Sequence, residues 1–186
     1  MVPAAKTRNC FAMHSGTAAT PEQVMGTCLG LELEAAALYR RFQETTTDPD
    51  LAALWSGMSQ EEMRHARMID QLSQKRGFCA PALSAELLTD VVQRVEAIRA
   101  TADVRDLGDE RMLSIAAALE FSEMDDLFGT ICRAAGVSPD AGRADHLAPL
   151  INAVLARKTG DSVLRHLLAA MIRLRRRAGP AGLDDV

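Results

Sequence analysis

Residues 51–72 read LAALWSGMSQEEMRHARMIDQL. Steps of three and four pick out Leu51, Trp55, Met58, Glu62, His65, Ile69 and Leu72, an apolar stripe in which only Glu62 and His65 can ionise. That period is the one a helix needs to bury one side, so the stretch predicts a helix carrying an acid and an imidazole into the interior.

The flanking sequence is punctuated the same way. Thr20, Pro21, Glu22 and Gln23 supply a capping hydroxyl, a proline at the first helical position and a capping-box glutamine, predicting a first helix from there to about residue 46. Asp48, Pro49 and Asp50 repeat the device for the second helix, which Gly77 ends. Ser84 and Glu86 open ELLTDVVQRVEAIRA, read as a crossover helix or its fragments. Asp106 is the predicted cap of a third helix running to Gly136, where a left-handed stop is easiest for glycine. Residues 138–148 read as a connection, partly helical, and a fourth long helix is expected from Pro149 to Ala178, with Gly160 as its weak point.

Four long helices and a crossover predict an all-α fold, a four-helix bundle of two antiparallel hairpins. The expected organisation is a loose leader over residues 1–19, the bundle over 20–178 and a frayed tail over 179–186. Composition agrees: 186 residues at 48% hydrophobic can bury one sizeable core, and with 4% aromatics and single β-branched residues the local preference is helical. A net charge of -4 favours neither nucleic acid nor an acidic tail. The run RLRRR at 173–177 complements the negative end of a helix. Cys10, Cys28, Cys79 and Cys132 form no Cys-x-x-Cys pair, which excludes a zinc ribbon or rubredoxin-type iron site, and Cys28 and Cys132 read as core fillers. No apolar run is long enough for a signal peptide or a membrane span, so no membrane partner and a cytoplasmic location are expected.

The same walk along the first helix gives Met25, Cys28, Glu32, Ala35, Tyr39 and Phe42, placing Glu32 inside and Glu34, on the face of Gln23, Thr27 and Arg41, outside. Glu32 stands fifteen residues before Thr47 and Glu62 fifteen after it. In an antiparallel hairpin both then lie about 22 Å from the turn, level with each other, and His65 follows one turn on. The third helix gives Leu113, Ala117, Glu120, Met124, Leu127, Ile131 and Ala134, again with one acid. Glu120 precedes Gly136 by sixteen residues and His166 follows Pro149 by seventeen, which brings those two level as well. The halves read as weak repeats, LELEAAALY at 31–39 against LEFSEMDDL at 119–127; His166 then matches His65, and Val163 stands where Glu62 has its counterpart. Burying several acids at one level is unfavourable by several kcal/mol per unpaired charge, which a cation relieves. Glu32, Glu62, His65, Glu120 and His166 mix carboxylate with imidazole, a donor set suited to iron or manganese rather than calcium or structural zinc.

Glu32 with Tyr39 seven later, followed on the next helix by Glu62-Met63-Arg64-His65, resembles the ferritin-like superfamily, in particular its rubrerythrin and bacterioferritin branch. The resemblance covers residues 21–177, strongly over the first hairpin and weakly over the second. It implies Glu32 and Glu120 as terminal acids, Glu62 as a bridge between two irons, and His65 and His166 as imidazole ligands. Tyr39 either packs in the core or hydrogen-bonds a ligand carboxylate. Val163 departs from the pattern: the site lacks its second bridging acid unless Glu123 or Asp161 substitutes, so it holds two ions if complete and one if not, or has been abandoned. The resemblance implies a non-haem iron or manganese oxidoreductase of peroxidase or ferroxidase type, reacting with oxygen or peroxide, and a homodimer. Without a rubredoxin module, an external electron donor is required. The other reading is a non-catalytic helical module with a degenerate site, working through oligomeric or partner contacts.

Overall fold

The computed structural model describes residues 17–102, 107–120, 122, 124–137 and 143–156. Six helices are present among them: α1 (Pro21–Thr45), α2 (Pro49–Ser73), α3 (Ala85–Ala100), α4 (Asp109–Glu120), α5 (Met124–Ala134) and α6 (Arg143–Ala156). The all-α expectation holds for these residues; their only β-type pairing is an isolated bridge between Ala18 and Ser84. That bridge fastens Thr17 to Ala19, at the end of the expected leader, to the start of α3, through Ala19 N–H to Leu83 O (2.9 Å) and Ala85 N–H to Thr17 O (3.0 Å).

The helix starts form where the side-chain chemistry puts them. Thr20 Oγ1 accepts the Gln23 N–H at 3.2 Å while Gln23 Oε1 accepts the Thr20 N–H at 2.8 Å, a reciprocal capping box. Asp48 Oδ1 accepts the N–H groups of Asp50 (2.9 Å) and Leu51 (3.2 Å), and Ser84 Oγ accepts that of Leu87 (3.1 Å). Asp48→Ala orphans two donors at once and is expected to lower stability by about 0.5–2 kcal/mol, read as a lower urea midpoint at unchanged slope. At the other end of α5, Gly136 takes φ 70°, and the bonds Val137 N–H to Cys132 O and Gly136 N–H to Arg133 O close a Schellman stop. Gly77, at φ 77°, turns the chain shortly after α2.

Two expectations are corrected. The third helix is not continuous from residue 106 to Gly136: α4 stops at Glu120 and α5 starts at Met124. The Ser122 N–H bonds Leu119 O, three residues back, so the last turn tightens instead of propagating. The fourth helix does not begin at Pro149 either, because α6 starts at Arg143 and runs through that proline. The missing N–H forfeits one intrahelical bond, and the segment is nonetheless held by Leu150 and Val154, both fully buried where α6 meets α2 and α4. The predicted continuation to Ala178, with Asp161, Val163 and His166, lies outside the described residues, as do Asp106, Glu123, residues 1–16 and the tail 179–186.

Helix directions follow from which residues meet. Tyr39 stacks on Trp55, Ser59 Oγ donates to Ala36 O at 2.9 Å, and Glu32 lies beside His65, so α1 is descended as α2 is climbed. The pair is an antiparallel hairpin. The α3 helix returns alongside α1, tied by Arg99 to Glu34 (2.5 Å) and by Arg41 to Ala102 O. Thr46 Oγ1 meets Asp109 at 2.7 Å and Tyr39 meets Glu120, so α4 runs against α1 and therefore with α2. His65 with Phe128 and Met68 with Cys132 give α5 the same sense. The crossover helix is what makes α2 and α4–α5 parallel. Between these helices lies one core in which Trp55, Tyr39, Phe42, Leu51, Leu113 and Ile131 are fully buried.

Candidate metal centre

Glu32 leaves α1 on the face that also buries Cys28, Ala35 and Tyr39. Glu62 and His65 leave α2 on the face of Met58 and Ile69, three residues apart and so one above the other. All three are inside, at 1%, 2% and 6% exposure. Each contributes one ligand atom to a group whose atoms lie within 4.8 Å of one another. His65 Nδ1 is 3.2 Å from Glu62 Oε2 and 3.4 Å from Glu32 Oε2, so the imidazole stands between the carboxylates of two different helices. Glu32 Oε2 has no hydrogen-bond partner, whereas His65 Nδ1 is hydrogen-bonded to Glu62 Oε2 and only an ion-pair neighbour of Glu32. An unsatisfied buried carboxylate oxygen is expensive, by about 1–3 kcal/mol or more for a charged group.

Glu120, at 1% exposure, ends α4. It is not one of the three clustered donors. Its Oε1 accepts the Tyr39 hydroxyl at 2.6 Å, the short length of a charge-assisted O–H···O bond. Tyr39 thus both packs and bonds a candidate ligand: its ring lies 6.1 Å from that of Trp55 at 5°, and Phe42 meets both rings edge-on. Glu34 is outside, as its face predicts, with its carboxylate 44% exposed in the ion pair to Arg99. Glu61 also faces outward, paired with Arg64. Such exposed pairs contribute at most about 1 kcal/mol each. The structure brings Glu32, Glu62 and His65 together and links Glu120 to Tyr39; His166, Glu123 and Asp161 lie outside the described residues.

The surroundings of three buried residues near the site are not evident from the sequence. Phe128 stacks on the His65 imidazole at 4.2 Å and 27°, fixing the plane of the ring. Its only sequence signal is that it lies one residue past Leu127 on the buried stripe of α5. The Trp55 indole N–H is fully buried and has no acceptor. Cys132 lies one turn beyond Phe128, with Sγ 3.8 Å from Met68 Sδ, and burial, reinforced by the charge of Glu32, pushes its thiol above the usual range. A thiol held protonated and fully buried is a poor nucleophile. In the native protein a thiol reagent is therefore expected to modify exposed Cys79 and to reach Cys28 and Cys132 only after denaturation, a sequence that mass mapping of the labelled peptides checks.

The chemistry of the donor set fits a cation. Two carboxylates and an imidazole converge on one point in the buried interior, and one carboxylate oxygen lacks any hydrogen bond. Oxygen and nitrogen donors without thiolate suit iron or manganese. Among the described residues, no helix is long and apolar enough to cross a membrane. Comparison of the chain with protein-family models, curated proteins and solved structures returned no match.

Proposed function

We propose that this is a ferritin-like metalloprotein which holds iron or manganese between α1 and α2 through Glu32, Glu62 and His65 and reacts with oxygen or peroxide. The observation that carries the metal is the convergence of those three buried donors, within 4.8 Å of one another, with Glu32 Oε2 unsatisfied. Support for the ferritin-like arrangement comes from the antiparallel α1–α2 hairpin, the returning α3 and the parallel course of α2 and α4–α5, the order expected of a bundle with one long crossover. The reaction class rests on the resemblance of Glu32, Tyr39 and Glu62-Met63-Arg64-His65 to the rubrerythrin branch.

Each side chain has a task in this reading. Glu32 and Glu62 neutralise the cation from opposite helices, and His65 presents Nδ1 to the same point. Phe128 holds the imidazole plane, and the burial of all three side chains keeps the donors from water. A bound iron or manganese ion supplies one-electron chemistry and Lewis acidity. In this reading the reducing equivalents come from an external donor. A second reading, a non-catalytic module with a degenerate site, is favoured by Val163 standing where the internal repeat calls for a second Glu62.

Metal analysis separates the two. Protein expressed aerobically with iron and manganese in the medium is expected to retain metal through gel filtration. Fe(II) added under argon, followed by air, should produce an iron-linked absorption band. Metal without any change on exposure to air or peroxide would leave the structural module; no metal under either regime would end the metalloprotein reading.

A further inference from the structure

We infer that the groove between α1 and α3 seats the stretch of this same chain that leads up to Thr17, residues 6–16, as a strap across the start of the crossover helix. The groove holds about 410 Å³ and is lined by Gln23 and Thr27 of α1 and by Ala85, Leu88, Val92 and Glu96 of α3. Its floor is apolar, with Leu88 buried and Val92 partly buried against the core. Its rim is polar, with Gln23, Thr89 and Glu96 exposed.

The occupant follows from where the described chain begins. Ala18 pairs antiparallel with Ser84, so stepping back from Ala19 to Thr17 steps forward from Leu83 to Ala85, the first residue of α3. The preceding stretch therefore joins the structure at the end of the groove formed by Ala19 and Ala85. From Ala85 to Glu96 the helix rises about 16 Å, a distance that five or six extended residues cover at about 3.3 Å each. Gly16, which accepts either sign of φ, stands where the chain has to bend into the groove.

The chemistry of the two partners matches as well. KTRNCFAMHSG, residues 6–16, carries Lys6 and Arg8 and no acid, while the charged residue among those described on the groove walls is Glu96. In an extended chain Phe11 and Met13 project to one side about 6.7 Å apart, close to the rise of about 6 Å that separates Leu88 from Val92. A strap running against α3 lays Met13 over Leu88 and Phe11 over Val92, and brings Arg8 toward the Glu96 end.

The test uses the full-length chain with the photo-cross-linker p-benzoylphenylalanine in place of Phe11, which keeps an aromatic ring at that position. On irradiation the cross-links are expected to form within one chain and to fall, by peptide mapping, on residues 23–27 and 85–96, in at least fivefold higher yield than on any other surface of equal length. Thr89→Arg with Glu96→Lys, at two exposed positions, should cut that yield at least fivefold, and circular dichroism checks that the variant is folded. Cross-links joining two chains at the groove would make a second copy the occupant and overturn the inference. Cross-links scattered over the surface, none at all, or a groove yield that the double variant leaves unchanged would overturn it too. The readout needs no metal, so its failure leaves the metal-binding reading standing.

Discussion

His65→Ala is expected to destabilise the metal-free protein by about 3–5 kcal/mol, the cost of removing one partner from a buried charged group. Glu32 and Glu62, at 1% and 2% exposure, meet across the hairpin, and His65 Nδ1 is the group that stands between them, at 3.4 and 3.2 Å. Removing the imidazole leaves two like groups at one level and a cavity beneath Phe128, so electrostatics and packing fail together. Replacing the whole triad, Glu32→Leu with Glu62→Leu and His65→Phe, should do the opposite. Substituting a complete buried ionic cluster by apolar residues of similar volume is often neutral or stabilising by about 1–4 kcal/mol. The double replacement of Glu62 and His65 is less informative, since it strands Glu32 Oε2, which already lacks a hydrogen bond. Urea unfolding of the chelated proteins measures all three. A His65→Ala loss below about 1 kcal/mol, or a triple variant that does not fold, would mean that the cluster is not the stability-costing device its geometry describes.

Bound metal should add a comparable amount. An ion present at a thousand times its dissociation constant, binding only the folded chain, stabilises it by about 4 kcal/mol. For a domain of this size each kcal/mol moves the melting temperature by about 2–4 °C, so manganese is expected to raise it by about 8–16 °C and EDTA to reverse the rise. The triple variant should melt at one temperature with or without the ion. An equal metal-induced rise in wild type and triple variant would place the ion somewhere other than between α1 and α2.

Much of this arrangement is legible in the chain because the signals are local. Thr20 with Gln23, Asp48 before Pro49, and Ser84 set their helix starts by bonds spanning two or three residues, and Gly136 takes the left-handed stop that its position suggests. The inward placing of Glu32, Glu62, His65 and Glu120 follows from the 3.6 period alone. The break between Glu120 and Met124 is different: LEFSEMDDL contains no glycine or proline, so no punctuating residue announces it. Pro149 misleads in the opposite direction, since a proline reads as a helix start, while α6 begins at Arg143, runs through it and buries Leu150 and Val154 beyond it. Phe128 against His65 and Tyr39 against Glu120 are contacts between residues more than sixty positions apart, and periodicity states only that each faces inward.

Trp55 is the sole tryptophan of the chain. Its indole lies in apolar surroundings, donates no hydrogen bond and is stacked on Tyr39. It also precedes Glu62 by seven residues on one helix, a separation of about 10 Å. The molecule therefore carries an intrinsic optical gauge at its centre: emission should be blue-shifted, dim as a paramagnetic ion loads, and shift red only when the core opens. Loading and unfolding can be followed separately, in a single cuvette, without a dye or a tag.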